Sequence, residues 1–122
     1  MSPSGWALSA ERARLGGAAT AGSFPRSWAV VDGAGLASPL VVRTWTAGER
    51  FRPLGMTGTK KLQDFFVDRK VPRECRGAVP IVADAADRVV WVAGHAIAGD
   101  FRVTRATSDV VILKLKYWRN GT

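Results

Sequence analysis

The spacing of apolar and polar positions changes period several times along the chain, and each change marks an element. Leu62, Phe65 and Phe66 recur at the i, i+3, i+4 spacing of one helical stripe. Thr59 stands ahead of them as an N-cap residue and Pro72 ends the pattern, so a short amphipathic helix is predicted over residues 59–70. Residues 40–45 are β-branched and aromatic, the composition of a strand on a half-buried pleated face. The apolar runs 80–83 and 89–92 predict a hairpin with a medium-length loop, and 101–104 adds a further candidate strand. Residues 110–118 pass from continuous apolar into alternation, with Leu113, Leu115 and Tyr117 on one face and Lys114, Lys116 and Trp118 on the other. That pattern predicts a strand buried at one end, with lysines guarding a sheet edge at the other.

The first part of the chain is patterned differently. Residues 1–39 are rich in Gly, Ala, Ser and Pro, with one helix-like piece over 8–15. Residues 27–31 read as a strand that enters a tight hairpin turn at Asp32-Gly33. The expected organisation is a flexible or weakly structured segment over 1–26, followed by one packed domain over 27–119. Its class is α+β: a small, mostly-β, sandwich-like domain with one or two short helices and no internal repeat.

Composition narrows the function. A chain of 122 residues, 47% hydrophobic and 23% charged, is large enough for one core and too apolar for wholesale disorder. Eighteen Lys and Arg against ten Asp and Glu give a net charge of +8. That balance favours a polyanionic partner such as nucleic acid, and acidic membrane surfaces share the same attraction. Cys75 and His95 are the only residues of their types, so the chain cannot close an internal disulfide or assemble a four-ligand zinc site by itself. No apolar stretch approaches the ~20 residues of a membrane helix. A soluble cytoplasmic protein without membrane contact is expected.

The charge is concentrated. Residues 49–76 carry eight cations and four carboxylates, so half of the net charge falls in less than a quarter of the chain. Lys60 and Lys61 would occupy the first turn of the predicted helix, where cations oppose the macrodipole. A bound phosphate reverses that sign, with Gly55 and Gly58 letting backbone approach closely. The bland alternative is that both lysines are solvated and offset by Asp64. The run from Gly55 to Lys60 is not a nucleotide-binding loop, because its glycines are too close and Lys61 stands where Ser or Thr is needed. Asp64 and Asp68 share a helix face, where ion pairing outweighs acid–base or metal chemistry. A structural role is favoured for His95, and core packing outweighs base stacking for Trp45 and Trp91, whereas Trp118 reads as exposed.

A longer pattern is specific. It runs through Arg43-Thr44-Trp45, Gly48-Glu49-Arg50-Phe51, Pro53-Leu54-Gly55-Met56 and Lys60-Lys61-Leu62-Gln63-Asp64-Phe65-Phe66, and continues in Val79-Pro80-Ile81-Val82 and Val90-Trp91-Val92-Ala93-Gly94-His95-Ala96-Ile97. Over about residues 40–105 the chain resembles the C-terminal domain of bacterial tRNA(Ile)-lysidine synthases. The resemblance implies a sandwich-type fold shared with a domain of the phenylalanyl-tRNA synthetase β subunit. Such synthases use ATP and Mg to adenylate the wobble cytidine of a tRNA(Ile) with a CAU anticodon, after which lysine attacks to form lysidine. The C-terminal domain is implied to grip the acceptor-stem side of that tRNA. Carried onto this sequence, the candidate RNA contacts are Arg50, Arg52, Lys60, Lys61, Arg69, Lys70 and Arg73. The implied partners are tRNA(Ile) and the synthase's catalytic domain, in cis or in trans, with a homodimer left open.

The family's Ser-Gly-Gly-x-Asp-Ser phosphate loop does not occur here. No cofactor is therefore expected in this chain, since ATP and Mg belong to the catalytic domain, and the chain alone is not expected to make lysidine. A second reading is a protein-interaction or assembly domain with little RNA binding of its own.

Overall fold

Alternation in the last strand organises the molecule: Val111, Leu113 and Leu115 are buried, while Ile112 and Lys114 between them stay partly exposed. The computed structural model describes residues 6–14 and 25–117. They form β1 (Trp6–Arg14), β2 (Trp28–Asp32), β3 (Val41–Arg43), β4 (Arg50–Phe51), β5 (Lys60–Lys61), α1 (Leu62–Asp68), β6 (Ile81–Ala83), β7 (Val89–Val92), β8 (Ala96–Ile97) and β9 (Asp109–Tyr117). Short 3-10 turns stand at Arg73–Ala78 and Gly99–Phe101. One sheet has the order β1-β9-β2, a second the order β3-β6-β7-β8, and β4 pairs with β5 as a separate two-stranded ribbon. All pairings are antiparallel.

The two sheets and α1 share one core. Val31, Val111, Leu113 and Leu115 enter it from the first sheet, Val42, Ile81, Val82 and Trp91 from the second. The helix adds Leu62, Phe65 and Phe66, the three residues of the predicted stripe. The fold is thus the small, mostly-β α+β domain expected, and the 80–83/89–92 hairpin forms as β6 and β7.

Several local expectations are corrected. The piece over 8–15 is not helical: Trp6–Arg14 is a nine-residue strand paired along its whole length with β9. Ala, Glu, Arg and Leu there favour helix intrinsically, but a full antiparallel ladder overrides a propensity of tenths of a kcal/mol per residue. Part of the segment expected to be weakly structured over 1–26 is therefore sheet, while residues 1–5 and 15–24 lie outside the described residues. β9 is a central strand, so Lys114 does not guard an edge. Its ammonium lies 4.2 Å from the centroid of the Trp28 ring and pairs with Glu11 at 3.7 Å. Trp118, read as exposed, lies outside the described residues.

The turn at Asp32-Gly33 does not close a hairpin, because β2 pairs with β9 and the chain then crosses to the second sheet. Space at Gly33 is tight: a Cβ would stand 3.2 Å from the Val111 Cγ2 and 3.1 Å from the Arg12 guanidinium, so a larger residue requires those side chains to give by a few tenths of an ångström. Asp32 fastens the turn, with Oδ1 accepting from the Ala34 amide at 2.9 Å and Oδ2 from the Thr107 hydroxyl at 2.8 Å. Residues 101–104 form no strand, since Phe101 ends a 3-10 turn instead.

Candidate nucleic-acid interface

The predicted helix over 59–70 is shorter than expected, and the difference decides where its cations point. Lys60 and Lys61 are taken by the ribbon, opposite Phe51 and Arg50, and the Leu62 amide donates to the Glu49 carbonyl at 2.8 Å. The helix begins only at Leu62, with Lys61 in extended conformation at the N-cap and no side-chain cap. Thr59 is therefore not the cap; its hydroxyl accepts from Arg50 Nε at 3.1 Å. The two lysines do not occupy a first helical turn: Lys61 stands at the N-cap and Lys60 just ahead of it, both in the ribbon.

The ribbon has two faces. Phe51 turns inward and meets the edge of Phe65 at 5.1 Å between ring centroids. Directly opposed residues share a face, so Lys60 follows Phe51 and is partly covered, whereas Arg50 and Lys61 stand together on the outer face, both exposed. Lys60 forms an ion pair with Asp68, not with Asp64. Arg52 forms one with Asp100, and its carbonyl accepts from the Gly99 amide at 2.7 Å. Among the described residues no carboxylate pairs with Arg50 or Lys61.

Glu49 is held by Arg43 through two hydrogen bonds and by the Thr46 amide at 3.1 Å. Burial alone would raise its pKa, but the bonds from Arg43 and Thr46 outweigh burial and hold the carboxyl below its ordinary value. It stays ionised, with Arg43 committed to it, so this pair braces the loop ahead of the ribbon.

At the far end of α1 lies a second group. The Arg69 guanidinium carbon sits 5.1 Å from the Phe65 ring centroid and Nη2 donates to the His95 carbonyl at 3.2 Å. Lys70 closes the helix with φ of 58°. Its amide donates to the Val67 carbonyl and the Val71 amide to the Phe66 carbonyl, the bond pattern of a Schellman motif. Arg73 is exposed at the start of the following 3-10 turn. The seven candidate cations thus fall into Arg50, Arg52, Lys60 and Lys61 around the ribbon, and Arg69, Lys70 and Arg73 beyond the helix.

His95 packs edge-on to Phe65 and Phe66, with ring centroids 6.2 and 6.5 Å away. Burial, then the positive charges of Arg69 and Arg26, push its pKa below the ordinary value. Trp45 meets Phe66 edge-on at 5.6 Å and Trp91 is buried, so both tryptophans serve packing. Arg26 was not singled out from sequence: it lies in the Gly- and Ser-rich stretch, far along the chain from Arg69, and only folding joins them at His95.

A family model described as TilS substrate C-terminal domain matches residues 40–113. The chain belongs to that family. A tRNA(Ile)-lysidine synthase of Caldanaerobacter subterraneus subsp. tengcongensis is 45% identical over 75 residues, which cover 62% of this chain and 16% of the relative. That of Symbiobacterium thermophilum is 46% identical over 87 residues, covering 71% of this chain and 18% of the relative. The chain thus spans less than a fifth of the length of these relatives. A crystal structure of a TILS C-terminal domain is 34% identical with a TM-score of 0.74, covering 97% of this chain and 88% of that one. An N-terminal fragment of the phenylalanyl-tRNA synthetase β subunit from Pyrococcus horikoshii has a TM-score of 0.64 at 19% identity, covering 76% of this chain and 28% of the fragment; it shares the fold.

Proposed function

We propose that this TilS C-terminal domain binds tRNA(Ile) on behalf of a lysidine synthase, gripping the acceptor-stem side while a catalytic domain, in cis or in trans, carries out the ATP- and Mg-dependent chemistry at the wobble cytidine. The observation that carries the reading is the outward pair Arg50 and Lys61, two exposed cations on one ribbon face with no carboxylate partner among the described residues. Local stability does not select such a pair, since like charges directly opposed across strands repel. A polyanion supplies the missing counter-charge. Lys70 supports the same view, because a lysine occupies a left-handed position that glycine fills at lower cost.

The chemistry of the contact is that of phosphates. Duplex RNA closes its major groove to side chains, so guanidinium and ammonium groups on a surface read backbone and shape, not base sequence. Arg50, Lys61, Arg69, Lys70 and Arg73 are the exposed members of the set, while Arg52 and Lys60 must exchange Asp100 and Asp68 for phosphate. Titration of tRNA at rising salt tests this directly. The logarithm of affinity should fall linearly with log salt, with a slope of about −0.7 to −0.9 per phosphate contacted. A flat response would reject the reading.

Exposed apolar side chains favour a second reading. Met56 and Val67 are 41% and 55% exposed, which suits a protein-assembly domain docking on the rest of a synthase. Retention of a separately supplied catalytic domain, without retention of tRNA, would select it.

A further inference from the structure

Arg69 and Arg26 border a groove of about 640 Å³ where the start of β2, the β7–β8 turn and the loop carrying Leu54 converge. Leu54 and Ile97 give it an apolar wall, and His95 lines it within reach of both arginine charges. None of the described residues lining it is acidic. The recess beside Arg50 and Arg52 differs, since Glu49, Asp87 and Asp100 share its walls. Carboxylates share the walls of that recess, whereas the groove's cations meet none among the described residues that line it.

Size and lining select the guest. The volume falls within the ~300–1,000 Å³ typical of small-ligand sites, too confined for a duplex, which binds across open surfaces. An apolar wall beside two guanidiniums matches a group with a flat apolar body and an adjacent anion. Leu54 is 51% exposed despite its apolar side chain, and its amide is fixed to the Ile97 carbonyl at 3.1 Å, so this wall is presented in place. Unpaired bases are recognised in this manner, splayed from their strand, packed on side chains and held by their phosphates.

We propose that this groove takes one unpaired nucleotide of a bound RNA, its base against Leu54 and Ile97 and its phosphate between Arg26 and Arg69. The inference rests on the RNA-binding reading above and adds to it a site for non-duplex structure.

The test uses three RNAs: a blunt hairpin, the same hairpin with a short single-stranded end, and the same hairpin with a one-base bulge. At least one unpaired form should bind about fivefold or more tighter than the blunt hairpin. Arg26→Gln and Leu54→Ala, both outside the ribbon, should abolish that gain and leave blunt-hairpin affinity unchanged. His95 is the only histidine, so its imidazole proton signal is unambiguous. It should shift with the favoured RNA and not with the blunt one, and its pKa should rise as phosphate offsets the charges of Arg69 and Arg26.

Equal, salt-dependent affinity for all three RNAs would overturn the groove while leaving the RNA-binding reading intact. Absence of binding to any of them would remove both. Loss of the unpaired-nucleotide gain to an acidic peptide competitor that moves the His95 signal equally would reassign the groove to a protein segment and overturn the proposal.

Discussion

Arg50 and Lys61 stand directly opposite each other across the β4–β5 ribbon, two exposed cations in one cross-strand pair. Cross-strand pairs contribute about 0.2–1 kcal/mol, with the sign reversed for like charges. Lys61→Gln should therefore raise stability by a few tenths of a kcal/mol, more at low salt, where screening is weak. The same change should weaken tRNA binding and lower the magnitude of the salt slope by about 1. Urea denaturation measures the first effect and tRNA titration the second. A loss of stability would show that repulsion is not what the pair contributes.

Lys70 makes the same trade through the backbone. Its φ of 58° lies in the left-handed region, where a Cβ costs roughly 1–2 kcal/mol. Lys70→Gly keeps the Schellman hydrogen bonds of the Lys70 and Val71 amides and removes that cost, partly offset by the freer unfolded chain. The expected outcome is about 1 kcal/mol of added stability, read as a rise in Tm of about 4–8 °C, with weaker RNA binding. An unchanged affinity would remove Lys70 from the interface.

Phe66→Ala should be severe for a different reason. Phe66 has no exposed surface and lies between Trp45, Phe65 and His95. Truncation removes its transfer energy and leaves a cavity, a cost of about 3–5 kcal/mol. Native domains are stable by only about 5–15 kcal/mol, so that cost is a large fraction of the total. Chemical denaturation, or loss of the dispersed near-ultraviolet signal of the buried aromatics, measures it. A variant that stays fully folded would mean the neighbouring rings can collapse into the space.

The sequence made these core residues visible where one face carried a period. Leu62, Phe65 and Phe66 could be read as a stripe because burial of that face is a local property of the helix. The β6–β7 hairpin was visible in the same way, with both of its strands buried. What failed depended on distant partners. Lys60 and Lys61 left the helix because Arg50 and Phe51 offered ladder positions to their backbone. Trp6–Arg14 became a strand because β9 ran beside it. The cationic set could be named from the family pattern, but its division between the ribbon and the far end of α1 could not. Arg26 was invisible because the groove exists only once β2 and the β7–β8 turn meet.

Asp84 ties two distant turns together, and its ionisation should be measurable in the acid limb of stability. The carboxylate is 2% exposed. Oδ1 accepts from the Ala86 and Arg88 amides at 3.1 and 3.0 Å, and Oδ2 from the Ala37 amide at 3.2 Å and from Arg88 Nε at 3.0 Å. Arg88 also donates to the Gly35 carbonyl at 2.7 Å, which joins the β6–β7 turn to the crossing between the sheets. Burial alone would raise the Asp84 pKa, but the hydrogen bonds from Arg88 and Ala37 outweigh it and hold the carboxyl below its ordinary value. A depressed folded pKa stabilises the protein above the unfolded value of about 3.9 and is lost as pH falls through the lower folded value. Asp84→Asn should cost at least about 1.5–3 kcal/mol at neutral pH, the worth of a charged hydrogen bond. Below about pH 4 the variant should lose further stability less steeply than the parent, because the titrating group is gone. Denaturation midpoints across the acid range test both statements; parallel acid limbs for the two proteins would show that Asp84 does not hold its charge through these bonds.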